Sequence, residues 1–257
     1  METYLIRESA RAKHVRLHVS AEEGLVVTVP RGFDRSEIPT ILAAKRSWIE
    51  RSERRIEEER AAVGLNTEGA LPERIDLRAI DEDWTVEYCP TSSPWVAAGP
   101  LLLPESRPGH LEVRGGVGDP RACGAALRRW VFRKGRAHLV PWLGGLSEET
   151  GLGFGRTVVR NPRTRWGSYS RKETVSLNQN LLFLPTHLVR YVLLHELCHS
   201  VHLEHSAQFW SLLRDKEPRA DALRDELRLA WRYLPDWTTG RQDQAPAGEP
   251  APLPWTG

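Results

Sequence analysis

The sequence feature that most constrains the fold is the run HELCHSVHLEH, residues 195 to 205, which holds four of the chain's nine histidines. Val189, Leu193 and Leu197 recur every four residues just before and within this run. Such spacing predicts a helix that buries one face. The chain must therefore fold so that this helix packs into a core on one side while its histidines face another.

His195 and His199 are spaced to bind one metal ion. Residues four apart on an α-helix differ by about 40° in direction and about 6 Å in rise, so both rings project from one face. Two imidazoles placed in this way can both reach a zinc ion at about 2.0–2.1 Å. Glu196 lies beside His195 on the helix, within reach of a water at an open coordination position, as a general base requires. The run thus predicts a metal site with an adjacent base.

The spacing alone leaves the third ligand open. His202 lies on the same face as His195 but about 10 Å further along a straight helix, so one ion cannot touch both. His205 becomes a candidate if the helix ends near Leu203 and a second helix starts after Ser206, a possible N-cap. The remaining candidates are carboxylates of later helices, namely Glu217, Asp221 and Glu226.

The rest of the chain predicts an α+β fold. Period-2 apolar patterns near the N-terminus predict strands, and a charged helix follows from Asp34. Residues 64–118 form a Pro- and Gly-rich variable region with strands at Trp84–Tyr88 and Leu111–Arg114. A long helix is expected from Asp119 to Leu143, ended by Gly144-Gly145. The expected divisions are 1–63 for strands and charged helix, 64–118 for the variable region, 119–235 for the catalytic core, and 236–257 for a disordered tail.

Composition places few limits on partners. The formal net charge of +2 neither requires nor excludes a polyanionic partner. Three widely spaced cysteines, Cys89, Cys123 and Cys198, form no disulfide framework, so a reducing cytoplasm is the expected location. No apolar run is long enough to cross a membrane, and we expect no membrane partner. The sequence does not indicate an oligomeric state.

A longer stretch carries a family resemblance, and its matching positions run from an Arg-Trp-Gly-Ser segment through a Leu-Asn strand and HELCH to a Phe-Trp pair. This pattern, together with Val-Pro-Arg-Gly at 29–32 and Lys-Arg-Ser-Trp-Ile at 45–49, resembles the YgjP-like metallopeptidase domain family. The chain departs from the family at two positions, with tyrosine in place of cysteine and glutamate in place of asparagine. The matching stretches are residues 165–168, 177–178, 185, 191–192, 195–199, 205–206 and 209–210, and the departures are Tyr169 and Glu204.

The resemblance implies a zincin-like fold whose active-site helix carries the HExxH motif. It implies that His195, His199 and His205 hold one zinc ion per chain and that Glu196 is the catalytic base. The expected activity is hydrolysis of a peptide or protein substrate by a metallopeptidase. Histidine nitrogens also suit manganese or iron, so the residues alone do not select the ion.

The segment before the site helix contains the candidate substrate-binding residues. Trp166, Gly167 and Ser168, if they form an edge strand, could pair with an extended peptide by strand addition. Tyr169 either donates to a substrate oxygen or packs in the core. Asn178 either orients this segment or serves only in a turn.

Two other functions use the same residues. Arg165 belongs to a cluster of cations that, with a metal, could serve a nucleotide phosphoanhydride, although a solvated arginine-rich face explains the cluster as well. A zinc-stabilised nucleic-acid-binding domain without activity is the third possibility. A structural zinc is closed by four protein ligands and needs no acid beside it, so Glu196 favours an enzyme. The cluster comprises Arg156, Arg160, Arg163, Arg165, Arg171 and Lys172.

Overall fold

A computed structural model describes residues 4–20, 24–61, 71–100, 109–162 and 164–238. These residues form five α-helices and ten strands in three small sheets, which confirms the predicted α+β class. Among them, no helix is both long enough and apolar enough to cross a membrane.

The first sheet belongs to the N-terminal segment. Its central strand is β3, Gly24–Pro30, which pairs in parallel with β1, Tyr4–Ser9, and antiparallel with β2, Arg16–Ser20. Helix α1, Ile38–Ala61, follows a 3-10 turn whose N-cap Asp34 accepts a hydrogen bond from the Ser36 backbone N–H. Alternate residues of β3 and the apolar residues of α1 form a small core of their own, comprising Leu25, Val27, Val29, Ile38, Leu42 and Ile49.

The segment expected to be variable contains a four-stranded sheet. Both predicted strands, Trp84–Tyr88 and Leu111–Arg114, lie inside observed strands. Apolar residues of this sheet are buried in the main core, which it shares with the long helix that follows. The sheet order is β4-β5-β7-β6, with β4 Arg74–Leu77, β5 Glu82–Pro90, β6 Ala97–Pro100 and β7 His110–Gly115.

Helix α2, Pro120–Thr150, is longer than the sequence predicts. The predicted break at Gly144-Gly145 is wrong, because the helix continues to its left-handed C-cap at Gly151. A glycine in a helix costs about 1 kcal/mol relative to alanine. Burial of one leucine side chain contributes about 1.5–3 kcal/mol, and Leu143 and Leu146 are both buried at this end. Packing therefore outweighs the local preference.

The third sheet lies next to the histidine-rich helix. Strand β10, Thr174–Asn178, pairs in parallel with β8, Arg156–Arg160, and antiparallel with β9, Gly167–Tyr169. Strand β9 is thus an edge strand among the described residues, as the hypothesis of strand addition requires.

Three shorter helices complete the structure: α3 Thr186–Cys198, α4 Ala207–Lys216 and α5 Ala220–Leu227. Thr186 is the first residue of α3 rather than its cap, and its hydroxyl donates to the carbonyls of Arg78 and Ala79. The described residues extend to Trp237 and Thr238, both buried, so they include the start of the expected tail. The remainder of that expected tail lies outside the described residues.

Candidate metal centre

The histidine-rich run forms a sharp corner between two helices. Helix α3 ends at Cys198 with His199 as its C-cap, so it ends before Leu203, as a role for His205 requires. The chain then turns, and Ser206 caps α4 by accepting a hydrogen bond from the Phe209 backbone N–H at 3.3 Å. The predicted N-cap is confirmed. This turn returns His205 to the face of α3 that carries the first two histidines.

Three imidazole rings meet at this corner. The ring centroids of His195 and His199 are 5.0 Å apart, those of His195 and His205 are 5.0 Å apart, and those of His199 and His205 are 4.8 Å apart. One ring nitrogen from each residue lies within 4.8 Å of the other two. The structure therefore brings together the three histidines that the family resemblance implies.

The nitrogens are arranged as metal ligands require. Nε2 of His195 and Nε2 of His205 are 3.0 Å apart, and two nitrogens on one tetrahedral zinc would be separated by about 3.3 Å. Nδ1 of His199 lies 2.9 Å from the carbonyl oxygen of His202. Because a carbonyl only accepts, Nδ1 of His199 carries the proton and its Nε2 keeps a free lone pair.

Burial keeps the rings of His195 and His199 neutral. It lowers the pKa of His195 to about 3, with a smaller contribution from the neighbouring imidazoles of His199 and His205. Burial also lowers the pKa of His199, although the hydrogen bond to the His202 carbonyl opposes the shift. Neutral imidazoles offer lone pairs to a cation at neutral pH. The donor set thus fits a divalent metal ion.

The other candidate ligands lie elsewhere. His202 contributes only its backbone carbonyl, through the bond from His199. Glu226 contacts the ring of His187 at 2.9 Å, and Asp221 pairs with Arg214 at 2.8 Å. Within the described ranges, the three clustered histidines are the one group with the spacing of a metal site.

Glu196 is a buried carboxyl group beside the histidines. Its side chain is only 5% exposed, and its Oε2 has no hydrogen-bond partner among the described residues. Burial raises the pKa of Glu196 to about 8, and the positive charge of Arg165 opposes this shift only in part. A carboxyl group with a raised pKa holds a proton more strongly than an exposed one, and a cation bound at the histidines would lower this pKa and favour the carboxylate that a general base needs.

Gly167 lies directly against this carboxyl group. A Cβ atom added at Gly167 would lie 2.5 Å from Oε1 of Glu196 and 2.8 Å from its Cγ and Cδ. Contacts this short are not tolerated, so any side chain at position 167 would force the Glu196 side chain to move. The sequence suggests Gly167 as a strand residue but does not reveal this contact.

A cavity of about 360 Å³ opens at the histidines and is walled mainly by apolar side chains. Trp166 stacks on Trp231, with centroids 3.9 Å apart and planes at 20°. The guanidinium of Arg224 lies 5.0 Å above the ring of Trp210. Burial raises the pKa of Tyr191 to about 12, so its phenol stays protonated at neutral pH.

Sequence reasoning missed several of these wall residues as part of the site. Trp210 belongs to the Phe-Trp pair of the family pattern, which marked its position but not its role. Arg224 carries no sequence signal, because only the packing of α5 against α3 brings it to the cavity. The missed wall residues are Tyr191, Val192, Trp210, Arg224 and Leu227.

Five of the six expected substrate-binding residues separate into three groups. Trp166 and Gly167 line the cavity. Ser168 and Arg165 line a second concavity instead. Tyr169 is partly buried and packs against the main core.

Asn178, the last of these residues, lies outside both concavities and is fully buried. Its side-chain N–H groups donate to the carbonyls of Pro162 and Arg165, each at 2.9 Å, and its Oδ1 accepts from the Asn180 backbone N–H. These bonds tie the loop before β9 to the end of β10. The contacts therefore agree with an orienting role and also with a turn role, and they give no direct contact with the cavity.

Comparison with models of known protein families gives one match that covers most of this chain. The YgjP-like metallopeptidase domain family matches residues 13–230 of this chain. No curated protein matches significantly. Two solved structures show local likeness. One is the metallopeptidase zymogen abylysin of Pyrococcus abyssi, 24% identical over 33% of this chain and 87% of its own, with a TM-score of 0.30. The other is the zymogen jannalysin of Methanocaldococcus jannaschii, 19% identical over 34% of this chain and 89% of its own, also with a TM-score of 0.30.

A mixed α+β domain with a clustered histidine triplet and a buried acid defines a metallohydrolase. Because the family match covers most of its length, the chain belongs to the YgjP-like metallopeptidase domain family. The family implies a divalent metal ion, and the three clustered imidazoles fit one.

Proposed function

We propose that the protein is a zinc-dependent metallopeptidase. His195, His199 and His205 hold one zinc ion per chain and leave a fourth position open to water and substrate. Glu196 is the general base. The observation that carries the proposal is the convergence of three imidazoles beside a buried carboxyl group that has no competing partner among the described residues.

The preference for zinc follows from the donors. Three nitrogen ligands and an open position are common in catalytic zinc sites. Manganese and iron also bind imidazole, but sites for these ions commonly include carboxylate oxygens. The candidate carboxylates Asp221 and Glu226 pair with other side chains. Metal analysis of the purified protein decides between these ions.

Glu196 handles the proton in the proposed reaction. A divalent ion at the histidines would polarise the scissile carbonyl and lower the pKa of the attacking water. As the water attacks, the Glu196 carboxylate accepts its proton and then delivers it to the nitrogen of the leaving amine. Glu196 is buried and its carboxyl group lies close to Gly167, which limits the space that the group can occupy.

The edge strand β9 is the proposed docking site for the peptide backbone. One side of β9 pairs with β10, and no strand among the described residues pairs with the other side. A substrate in extended form would pair with Gly167–Tyr169 and bring its scissile carbonyl past Glu196, with a neighbouring apolar side chain in the cavity. A crystal structure with a bound peptide inhibitor should show backbone hydrogen bonds to this strand. A bound peptide without such bonds would rule out strand addition.

The direction of the two β8 arginines argues against the alternative function, hydrolysis of a nucleotide phosphoanhydride at the metal site. Successive residues of a strand point to opposite faces. On β9, Gly167 faces Glu196 whereas Ser168 lies in the concavity that Arg156 and Arg160 line. These cations therefore point away from the histidine triplet rather than towards it.

Paired assays test the proposed function. The zinc-loaded protein should cleave casein or casein-derived peptides, with product amines detected by fluorescamine and cleavage positions by mass spectrometry. Nucleoside triphosphates under the same conditions should release no pyrophosphate or phosphate above the level of chelator-treated protein. If the protein hydrolyses the nucleotides but cleaves no peptide, it is a phosphoanhydride hydrolase and not a peptidase.

A further inference from the structure

A second concavity, of about 390 Å³, lies on the outer face of the third sheet. Arg156 and Arg160 of β8, Arg165 and Lys172 line it, and we call this surface the basic cleft. The opposite face of the sheet is covered, since Val175 and Leu177 are fully buried in the main core. The basic cleft and the histidine triplet thus lie on opposite sides of one thin sheet.

The positive charges of the basic cleft have no acidic partner in its lining, and among them Arg165 acts on a carboxyl group outside the lining, that of Glu196. No acidic residue lines the cleft. Among the described ion pairs, none involves Arg156, Arg160, Arg165 or Lys172. A short-range partner for Arg156 is a hydroxyl, Oγ1 of Thr174, at 3.1 Å. Cations gathered in a concavity without acids attract anions, and the concave shape strengthens the local potential.

The lining also supplies neutral donors. Hydroxyl groups of Ser168, Ser170, Thr174 and Ser176 line the same surface. Arginine, lysine, serine and threonine are the side chains that supply many contacts to nucleic-acid phosphates. No aromatic residue lines the cleft, so it offers no surface on which bases could stack. These features suit contacts to a phosphate backbone rather than to bases.

The dimensions favour a polymer over a single phosphate group. Arg156 and Arg160 lie four residues apart along β8, which corresponds to about 13 Å between their backbone positions. Three strands span about 10 Å across. A flexible single strand can bend into a concavity of this size, whereas a duplex is stiff, with a persistence length of about 500 Å. A single strand with repeated charges fits this surface better than a mononucleotide or a duplex.

We propose that the basic cleft binds the phosphate backbone of single-stranded nucleic acid without sequence preference. This function goes beyond the proposed peptidase activity and does not depend on the metal. Since Arg165 lines the cleft and the next residue, Trp166, lines the metal cavity, a bound strand lies close to the rim of the cavity. Proteins associated with such a strand would thereby be held near the candidate active site.

Fluorescence anisotropy with the full chain and a fluorescein-labelled 20-nucleotide oligothymidylate tests the proposal. The protein should bind the probe at 50 mM salt with or without EDTA. The double variant Arg156→Gln/Arg160→Gln should weaken binding at least tenfold. For single strands, each phosphate contact makes the slope of log affinity against log salt steeper by about 0.7. The loss of two contacts in this variant should therefore make the slope shallower by about 1.4. The control is the double variant Arg51→Gln/Arg54→Gln, which makes the same charge change at two exposed positions of α1. Its affinity for the probe should stay within about twofold of the wild-type value.

Circular dichroism checks that the double variant folds, and Lys172→Gln, at an exposed position, provides a milder change that should weaken binding about threefold. The proposal is overturned if the wild-type protein does not bind the probe. It is also overturned if the α1 control loses as much affinity as the double variant. Competition by polyglutamate as strong as that by unlabelled oligothymidylate would instead identify the surface as a site for acidic polypeptides.

Discussion

Glu196→Gln is expected to reduce peptide cleavage by about 10²- to 10⁴-fold, the contribution typical of a general acid–base group. The amide has nearly the same size as the carboxyl group, so it should fit against Gly167 without moving β9. It cannot accept the proton of the attacking water. The three histidines are unchanged, and the metal content of the variant, measured by inductively coupled plasma mass spectrometry, should equal that of the wild-type protein.

Glu204→Gln is the matched control for this variant. It makes the same chemical change in the same corner of the chain, but Glu204 is exposed and is not part of the histidine cluster. Its turnover should stay within about twofold of wild type, as is usual for an exposed surface change. Full turnover by Glu196→Gln would show that Glu196 is not the base. Loss of metal from that variant would show that the substitution acts through the structure of the site.

His205→Ala is expected to abolish both tight metal binding and activity. Two imidazoles from α3 would remain, and a site with two protein ligands holds zinc far more weakly than one with three. Competition with a chromophoric zinc chelator should show a loss of affinity of at least 100-fold. Metal at about 1,000 times its dissociation constant stabilises the folded state by about 4 kcal/mol. EDTA should therefore lower the melting temperature of the wild-type protein but not that of the variant.

His202→Ala provides the matched control within the same turn. The contact of His202 with the site is through its backbone carbonyl, which alanine retains, so Nδ1 of His199 keeps its acceptor. Metal affinity and turnover of this variant should remain close to wild type. If His205→Ala still binds one equivalent of zinc tightly, the triplet is not the ligand set. If His202→Ala loses the metal instead, the third ligand was assigned to the wrong histidine.

Local patterns were sufficient for the helix that carries the site. The four-residue recurrence of Val189, Leu193 and Leu197 predicts the buried face of α3, and all three side chains are fully buried. The relative directions of His195, Glu196 and His199 follow from helix geometry alone. Ser206 acts as the predicted N-cap of α4 because a cap needs only its own side chain and the next turn of backbone.

The end of α3 depends on residues that are distant in sequence, and local patterns did not fix it. The sequence made His205 a candidate on the condition that the helix ends near Leu203 and the chain turns. In the structure α3 ends at Cys198, and Phe209 and the three histidine rings pack at the corner. The same cause explains the continuous helix at Gly144-Gly145. In both places, contacts with distant residues outweigh the preference of a few neighbours.

The sequence by itself determined the apolar face of α3, the pair of histidines four apart and the acid between them, because backbone geometry relates residues within two turns of a helix. Only the tertiary structure decided that His205 turns back to the first two rings, that Gly167 lies against Glu196, and that Arg224 reaches the cavity. It also directed the arginines of β8 away from the histidines. These placements depend on how separate elements pack, and packing is a property of the whole core that no short stretch of sequence encodes.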